Sequence, residues 1–416
     1  MDNVTIDGGG YSFTGSSGHS LVVSKRRNGV APTDVTIKNM GSYTDGSDES
    51  STFSFTDLSG NTISKTITKS VNSFPQYFLT VNQPVTLNVE NSAFSNNTAR
   101  LIILGVGQTL NLKNSIFYNN TSTGDSLISH FGAVNAINIE NSIFYNNTNT
   151  NSDAAVVSTS SPLTIKNSYF INNSSGDDGG AISYKGDNIL IENTLFKGNT
   201  ARIDGGAIAM YTNAGLVVIK NSDFVGNKNK WSDGGAISTG GGYIKSIENA
   251  VFEDNFAYSS GGAIWLAVDD THSEKAPILL KDVTLKNNEG GDSGALFLEG
   301  EGDGRKNATY IANSEFTGNI ATPEDHDLDY GIPIGGAILT TGGIPVTISN
   351  TTFSENKASD DNGYSAGGAI YFASDSADYP LTLVDTSFTN NSAFEGVAIY
   401  VDNADTLIIT QAKDVM

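Results

Sequence analysis

The chain contains no cysteine. That excludes a disulfide framework and thiolate-held zinc or iron–sulfur sites, but it leaves the compartment open, because many secreted bacterial proteins lack cysteine as well. Positive charge is also scarce. Lysine and arginine total 23 against 45 aspartates and glutamates, a formal net charge of −22, so neither nucleic-acid phosphate nor an anionic membrane surface is an expected partner. No apolar run reaches the roughly 18 residues of a membrane-spanning helix, and no stretch shows the 3.6-residue period of an amphipathic helix. The opening, Met1-Asp2-Asn3-Val4-Thr5-Ile6, reads straight into a strand without the basic and apolar regions of a signal peptide. Together with an end just beyond another strand, this suggests a portion cut from a longer precursor. The hydrophobic share is 38% and the charged share only 16%, a balance that supports a sizeable folded core.

What the chain has in abundance is repetition. A tetrad Phe-x-x-Asn recurs at Phe94, Phe117, Phe144, Phe170, Phe196, Phe224, Phe252, Phe316, Phe353 and Phe388, with Leu285 filling the one gap. The starts lie 23 to 37 residues apart, and three residues before each stands Asn or Asp, from Asn91 to Asp385. Ahead of that residue runs a short alternating segment such as Leu163-Thr164-Ile165-Lys166, the pattern of a half-buried strand. A second tetrad, Gly-Gly-Ala-Ile, alternates with the first, intact from Gly179, Gly205, Gly234, Gly261, Gly335 and Gly367 and degenerate at Ser293-Gly294-Ala295-Leu296, Gly396-Val397-Ala398-Ile399 and Phe131-Gly132-Ala133-Val134. Each repeat holds about three short strands and two sharp bends. Strands at one phase, joined by bends and not by hairpins, can pair only with their counterparts in the next repeat, so the predicted fold is all-β, a single-stranded right-handed parallel β-helix of the pectate-lyase-like solenoid kind. In it the Phe residues stack inside at about 4.8 Å, the Asn residues form ladders at the bends, and the glycines serve corners. Residues 1–84, which fit the repeat poorly, are read as an N-terminal cap with the first irregular coils, and residues 85–416 as one continuous repeat domain.

The pairing of these two tetrads resembles the repeat signature of the chlamydial polymorphic outer membrane proteins and of similar autotransporter passengers in other Gram-negative bacteria, over roughly residues 85 to 400. The resemblance implies a secreted or surface-exposed passenger acting as an adhesin, with a membrane barrel elsewhere in the precursor and no membrane insertion of this segment. The family's passengers usually contain cysteine, whereas this chain has none.

Candidate chemistry is confined to acidic groups. Asp178, Asp204 and Asp233 each precede a Gly-Gly-Ala-Ile tetrad and should lie on neighbouring coils about 5 Å apart. Stacked carboxylates at that distance cap backbone at the bend, share protons, or hold a cation such as calcium. Glu324, Asp325, His326, Asp327 and Asp329 occupy a long loop, and Asp360 and Asp361 the same phase one coil later, so the two loops should project together as a binding surface. Loops 268–276 and 299–308 pair likewise in the other gap. No catalytic set is expected. The five arginines and four histidines are scattered, and Trp231 and Trp265, beside tetrads on successive coils, read more readily as partly buried bend aromatics than as sugar platforms. The resulting expectation is adhesion to a host-cell receptor or glycan, to a neighbouring cell, or to a second copy, with no cofactor beyond possible calcium. The alternative is a carbohydrate-active β-helix lyase or hydrolase.

Overall fold

The structure, a computed structural model, describes residues 4–9, 11, 13–14, 21–23, 34–44, 52–69, 71–72, 77–81, 84–186, 188–211, 216–240, 244–268, 277–300, 308–322, 333–359, 364–374, 376, 378–402 and 406–413. One coil shows how the repeat folds. The alternating strand Leu163–Lys166 buries Leu163 and Ile165 and ends at Asn167, whose positive φ of 50° turns the chain. Asn tolerates this left-handed conformation better than most residues. The strand Tyr169–Ile171 then carries Phe170 inward, Asn172 makes a second left-handed bend, and the pair Ser174–Ser175 follows the buried Asn173. The Gly179-Gly180 corner leads into Ile182–Tyr184, and a loop returns to Asn188–Glu192 one coil on.

Equivalent strands pair in parallel from coil to coil, as in Phe144 with Phe170 and Phe170 with Phe196. Long and Phe-bearing strands together make a 24-stranded sheet, the strands after the glycine corner a 13-stranded sheet, and the two-residue pairs a 9-stranded sheet. The predicted parallel solenoid is therefore the observed architecture. Its interior is a single hydrophobic column, in which consecutive Phe rings stack 4.7 to 5.0 Å apart from Phe94 to Phe252 and again from Phe316 to Phe388.

Two corners hold the coils in register. The Asn199 amide nitrogen donates to Asn227 Oδ1 at 3.0 Å and to the Phe170 carbonyl at 2.9 Å, while Asn199 Oδ1 accepts the backbone and side-chain N–H groups of Asn173, each at 3.0 Å. The same set repeats along a buried column from Asn97 to Asn391. At the other corner, the first glycine takes a positive φ, and a Cβ on the second would coincide with backbone of the next coil, as Gly206 meets the Gly235 carbonyl and the Lys228 amide. Outside, paired positions of the long strands alternate in charge from coil to coil as Asp7, Lys38, Glu90, Lys113, Glu140, Lys166, Glu192, Lys220, Glu248 and Lys281. Ion pairs Lys113–Glu140 at 3.0 Å and Lys166–Glu192 at 2.9 Å lie in this column. Each exposed pair stabilises little, but a slip by one coil would set like charges opposite one another throughout.

The N-terminal region resolves into two parts. Strands Val4–Asp7 and Asp34–Lys38 join the large sheet ahead of Thr86–Glu90, and Leu21–Val23 and Tyr77–Val81 precede Arg100–Leu104 in the 13-stranded sheet. Between them, Ser42–Thr44, Thr52–Thr56 and Thr62–Lys69 form an antiparallel sheet lying along the flank. Phe53 stacks on Tyr118 and Tyr145, and Phe55 packs on Tyr169. The positions flanking the inward Phe explain the placement. They are apolar where they are covered, as Ala93, Ile116, Ile143, Ile171 and Leu195, and polar in later coils, as Thr284, Glu315 and Thr352.

Asn199→Ala should cost about 3 to 5 kcal/mol, because it strips partners from several fully buried polar groups. Asn193→Gly, on the exposed ladder and compatible with the same φ, should cost under about 1 kcal/mol. Urea unfolding of the two variants checks the contrast, and equal midpoints would contradict it.

Candidate functional site

The aspartate column stands where the repeat phase puts it. Asp178 Oδ1 accepts the Asp204 amide at 3.1 Å, Asp204 Oδ1 the Asp233 amide at 3.4 Å, and Asp233 Oδ1 the Ser260 amide at 2.8 Å. Each carboxylate thus caps the bend of the next coil. The column is longer than the three tetrads indicate. Asp153 and Asp292 occupy the same corner, and Asp292 Oδ2 accepts the Ser260 hydroxyl at 2.9 Å. Both were missed because their coils carry degenerate glycine tetrads. The signal that includes them is looser, an Asp four to six residues after the asparagine that closes a Phe-x-x-Asn or Leu-x-x-Asn tetrad.

The column is electrostatically costly. Burial raises the Asp178 and Asp233 carboxyls above the usual aspartate range, aided by neighbouring carboxylates, and pushes Asp292 up to about 6 despite the Ser260 hydrogen bond. Tyr211 donates to Asp204 Oδ2 at 3.1 Å, and burial beside Asp204 and Asp178 keeps its phenol protonated. At one end, ligand atoms of Asp153, Asp177 and Asp178 lie within 4.8 Å of one another. Lys185 reaches Asp153 Oδ2 at 3.0 Å and Ser183 donates to the same oxygen at 3.3 Å. These oxygens have the hardness that a calcium ion selects.

Other expected positions separate. Glu324, Asp325, His326, Asp327, Asp329, Asp360 and Asp361 lie outside the described residues. Trp265 is half-buried and donates its indole N–H to Glu299 at 3.0 Å, whereas Trp231 is mostly exposed, with Tyr258 6.0 Å away. The bend reading thus suits the first tryptophan better than the second. His130 ends the strand Ile128–His130, its Nδ1 against the Gly132 carbonyl and its Nε2 accepting the Ser160 amide.

A polar cleft of about 490 Å³ lies where the turn Asp57-Leu58-Ser59 of the flanking sheet overhangs Asn167, Asn193, Asn221 and Asn249. Asp223 in its wall is raised by burial. The cleft offers amide donors and acceptors in a row, a surface suited to recognition by hydrogen bonding.

A carboxyl raised by folding withholds stability while it is ionised and restores it as pH falls through its folded value. The Asp292 shift from 3.8 to about 6 corresponds to about 3 kcal/mol. Asp292→Asn should therefore raise the unfolding midpoint at pH 7, and the gain over the parent should vanish by about pH 4. Thermal melts across that range measure it, and a pH-independent difference would count against the assignment.

Comparison with known families agrees with this geometry. The family model for the right handed beta helix region matches residues 77–251, and the Chlamydia polymorphic membrane protein repeat matches residues 249–267 and 350–373. No curated protein and no solved structure gives a significant match. The two repeat matches span the alternation of Phe-x-x-Asn and Gly-Gly-Ala-Ile that builds the coils, from Phe252 to Ile264 and from Phe353 to Ile370. The chain is a right-handed parallel β-helix, and two stretches of its repeat are similar to the Chlamydia polymorphic membrane protein repeat.

Proposed function

We propose that this chain is an adhesive passenger that binds host or neighbouring-cell surfaces from the bacterial exterior. The observation that carries the reading is the repeat match itself, since the polymorphic membrane protein family indicates an outer-membrane or surface location and is not known for enzymatic activity. The rod supports it physically. Its long faces present columns of exposed Asn amides and alternating charges, such as Asn114 on Asn91 and Lys220 beside Glu248, which suit many weak contacts over an extended partner. The net charge of −22 directs it away from anionic surfaces and toward neutral or basic ones.

Calcium belongs to the same proposal. Asp178 supports this reading by lying beside Asp153 and Asp177, and Asp178, Asp204 and Asp233 alike cap bends. A calcium ion held there would relieve the carboxylate repulsion of the column.

Purified chain should bind cultured host cells saturably and release no reducing sugar from surface glycans. Glycan cleavage without cell binding would overturn adhesion in favour of a carbohydrate-active enzyme. Adding calcium should raise the melting temperature and chelator should lower it; an unchanged midpoint removes the ion.

A further inference from the structure

The corner that carries the aspartates changes character toward the C-terminus. After Asp292 the same column reads Ile334, Ala366 and Glu395, joined from coil to coil by isolated parallel bridges. The facing column, the outward side chains of the 13-stranded sheet, changes with it. It runs Ser158, Ser183, Ala209 and Ser238, then Trp265, Phe297, Leu339, Tyr371 and Tyr400. These two neighbouring columns therefore pass from small residues beside carboxylates to mostly aromatic side chains.

At their aromatic end a hollow of about 260 Å³ is lined by Ile334, Tyr364, Ser365, Ala366, Tyr371, Phe394, Glu395 and Tyr400. Tyr364 is 62% exposed and Phe394 70%, a high cost in unburied aromatic surface for two adjacent coils. Tyr371 and Tyr400 stack on each other, centroids 5.1 Å apart and 12° from parallel. The Tyr371 hydroxyl donates to Asp402 Oδ1 at 2.8 Å, and Ser365 Oγ accepts the Phe394 amide at 3.0 Å. Phe394 is thus anchored by its backbone while its ring stays open.

We propose that this hollow binds one neutral sugar ring of a glycan, its C–H face on Phe394 and Tyr364 and its hydroxyls donating to Glu395. An open aromatic face beside a carboxylate acceptor matches the two surfaces of a pyranose, one apolar and one rich in donors. Glu395 and Asp402 in a chain of charge −22 oppose uronic and sialic acids. A quaternary ammonium needs several ring faces turned inward, and Tyr371 and Tyr400 turn theirs toward each other. The proposal deepens the adhesive reading by naming the class of ligand at one place on the rod.

The test is saturation-transfer NMR on the full chain with methyl β-galactoside, methyl α-glucoside, methyl β-N-acetylglucosaminide, glucuronate and choline as probes. At least one methyl glycoside should bind at about millimolar Kd, glucuronate and choline should not, and Phe394→Ala should weaken that binding about tenfold or more. Glu395→Gln should weaken it less, and Trp231→Ala, elsewhere on the surface, should leave it unchanged. Phe394 is largely exposed, so the variant should keep the parent's melting temperature. Failure of every glycoside, indifference to Phe394→Ala, or preferential binding of choline would each overturn the site. Cell binding that persists in Phe394→Ala while no glycoside binds would sink the sugar site alone; glycoside binding without cell binding would sink adhesion alone.

Discussion

Everything in this molecule depends on the buried asparagine column. A parallel solenoid leaves the backbone at each bend without a partner in its own coil, and those groups lie too deep for water. A carboxamide has two donors and an acceptor oxygen that takes two bonds. Repeated at one phase, it saturates itself against the coil on either side, as Asn199 does between Asn173 and Asn227. The Phe stack beside it supplies hydrophobic burial. The asparagines supply what burial cannot, a unique vertical register in an otherwise self-similar column.

Once that register is set, the outside of each coil is free to vary, and the chain uses this freedom by length along the rod. The flanking sheet covers the Phe-strand face where its outward positions are apolar. The glycine corner carries carboxylates at most coils from Asp153 to Asp292, with Ser260 between, and then reads Ile334, Ala366 and Glu395. The carboxylates near Asp178 sit where backbone amides repay part of their desolvation, yet burial still raises the pKa of Asp178 and Asp233, so the compensation is incomplete. A scaffold with a strong interior can carry such local cost, because stability in a stacked array is shared between neighbouring coils.

Much of this was legible in the chain. The spacing of Phe-x-x-Asn gave the number and phase of the coils, the inward Phe column and the Asn ladder, and Gly-Gly-Ala-Ile gave the tight corner. Two regularities were equally open to reading and were passed over: the alternating charges from Asp7 to Lys281, and the switch from apolar to polar beside the inward Phe. The aspartate column was seen only at Asp178, Asp204 and Asp233, because Asp153 and Asp292 precede altered glycine tetrads. The aromatic hollow was not legible, since Tyr364, Phe394 and Tyr400 meet only after loops of unequal length have been closed.

The sequence by itself determined the coil, because a side chain repeated at one phase can be buried only by stacking on its own copies, and that condition is local and periodic. Tertiary structure decided which faces of the rod are covered and which remain open. The resting place of the strands Ser42–Thr44, Thr52–Thr56 and Thr62–Lys69 and the opening between Tyr364 and Phe394 depend on contacts between segments far apart in the chain, and no period in the sequence encodes such contacts.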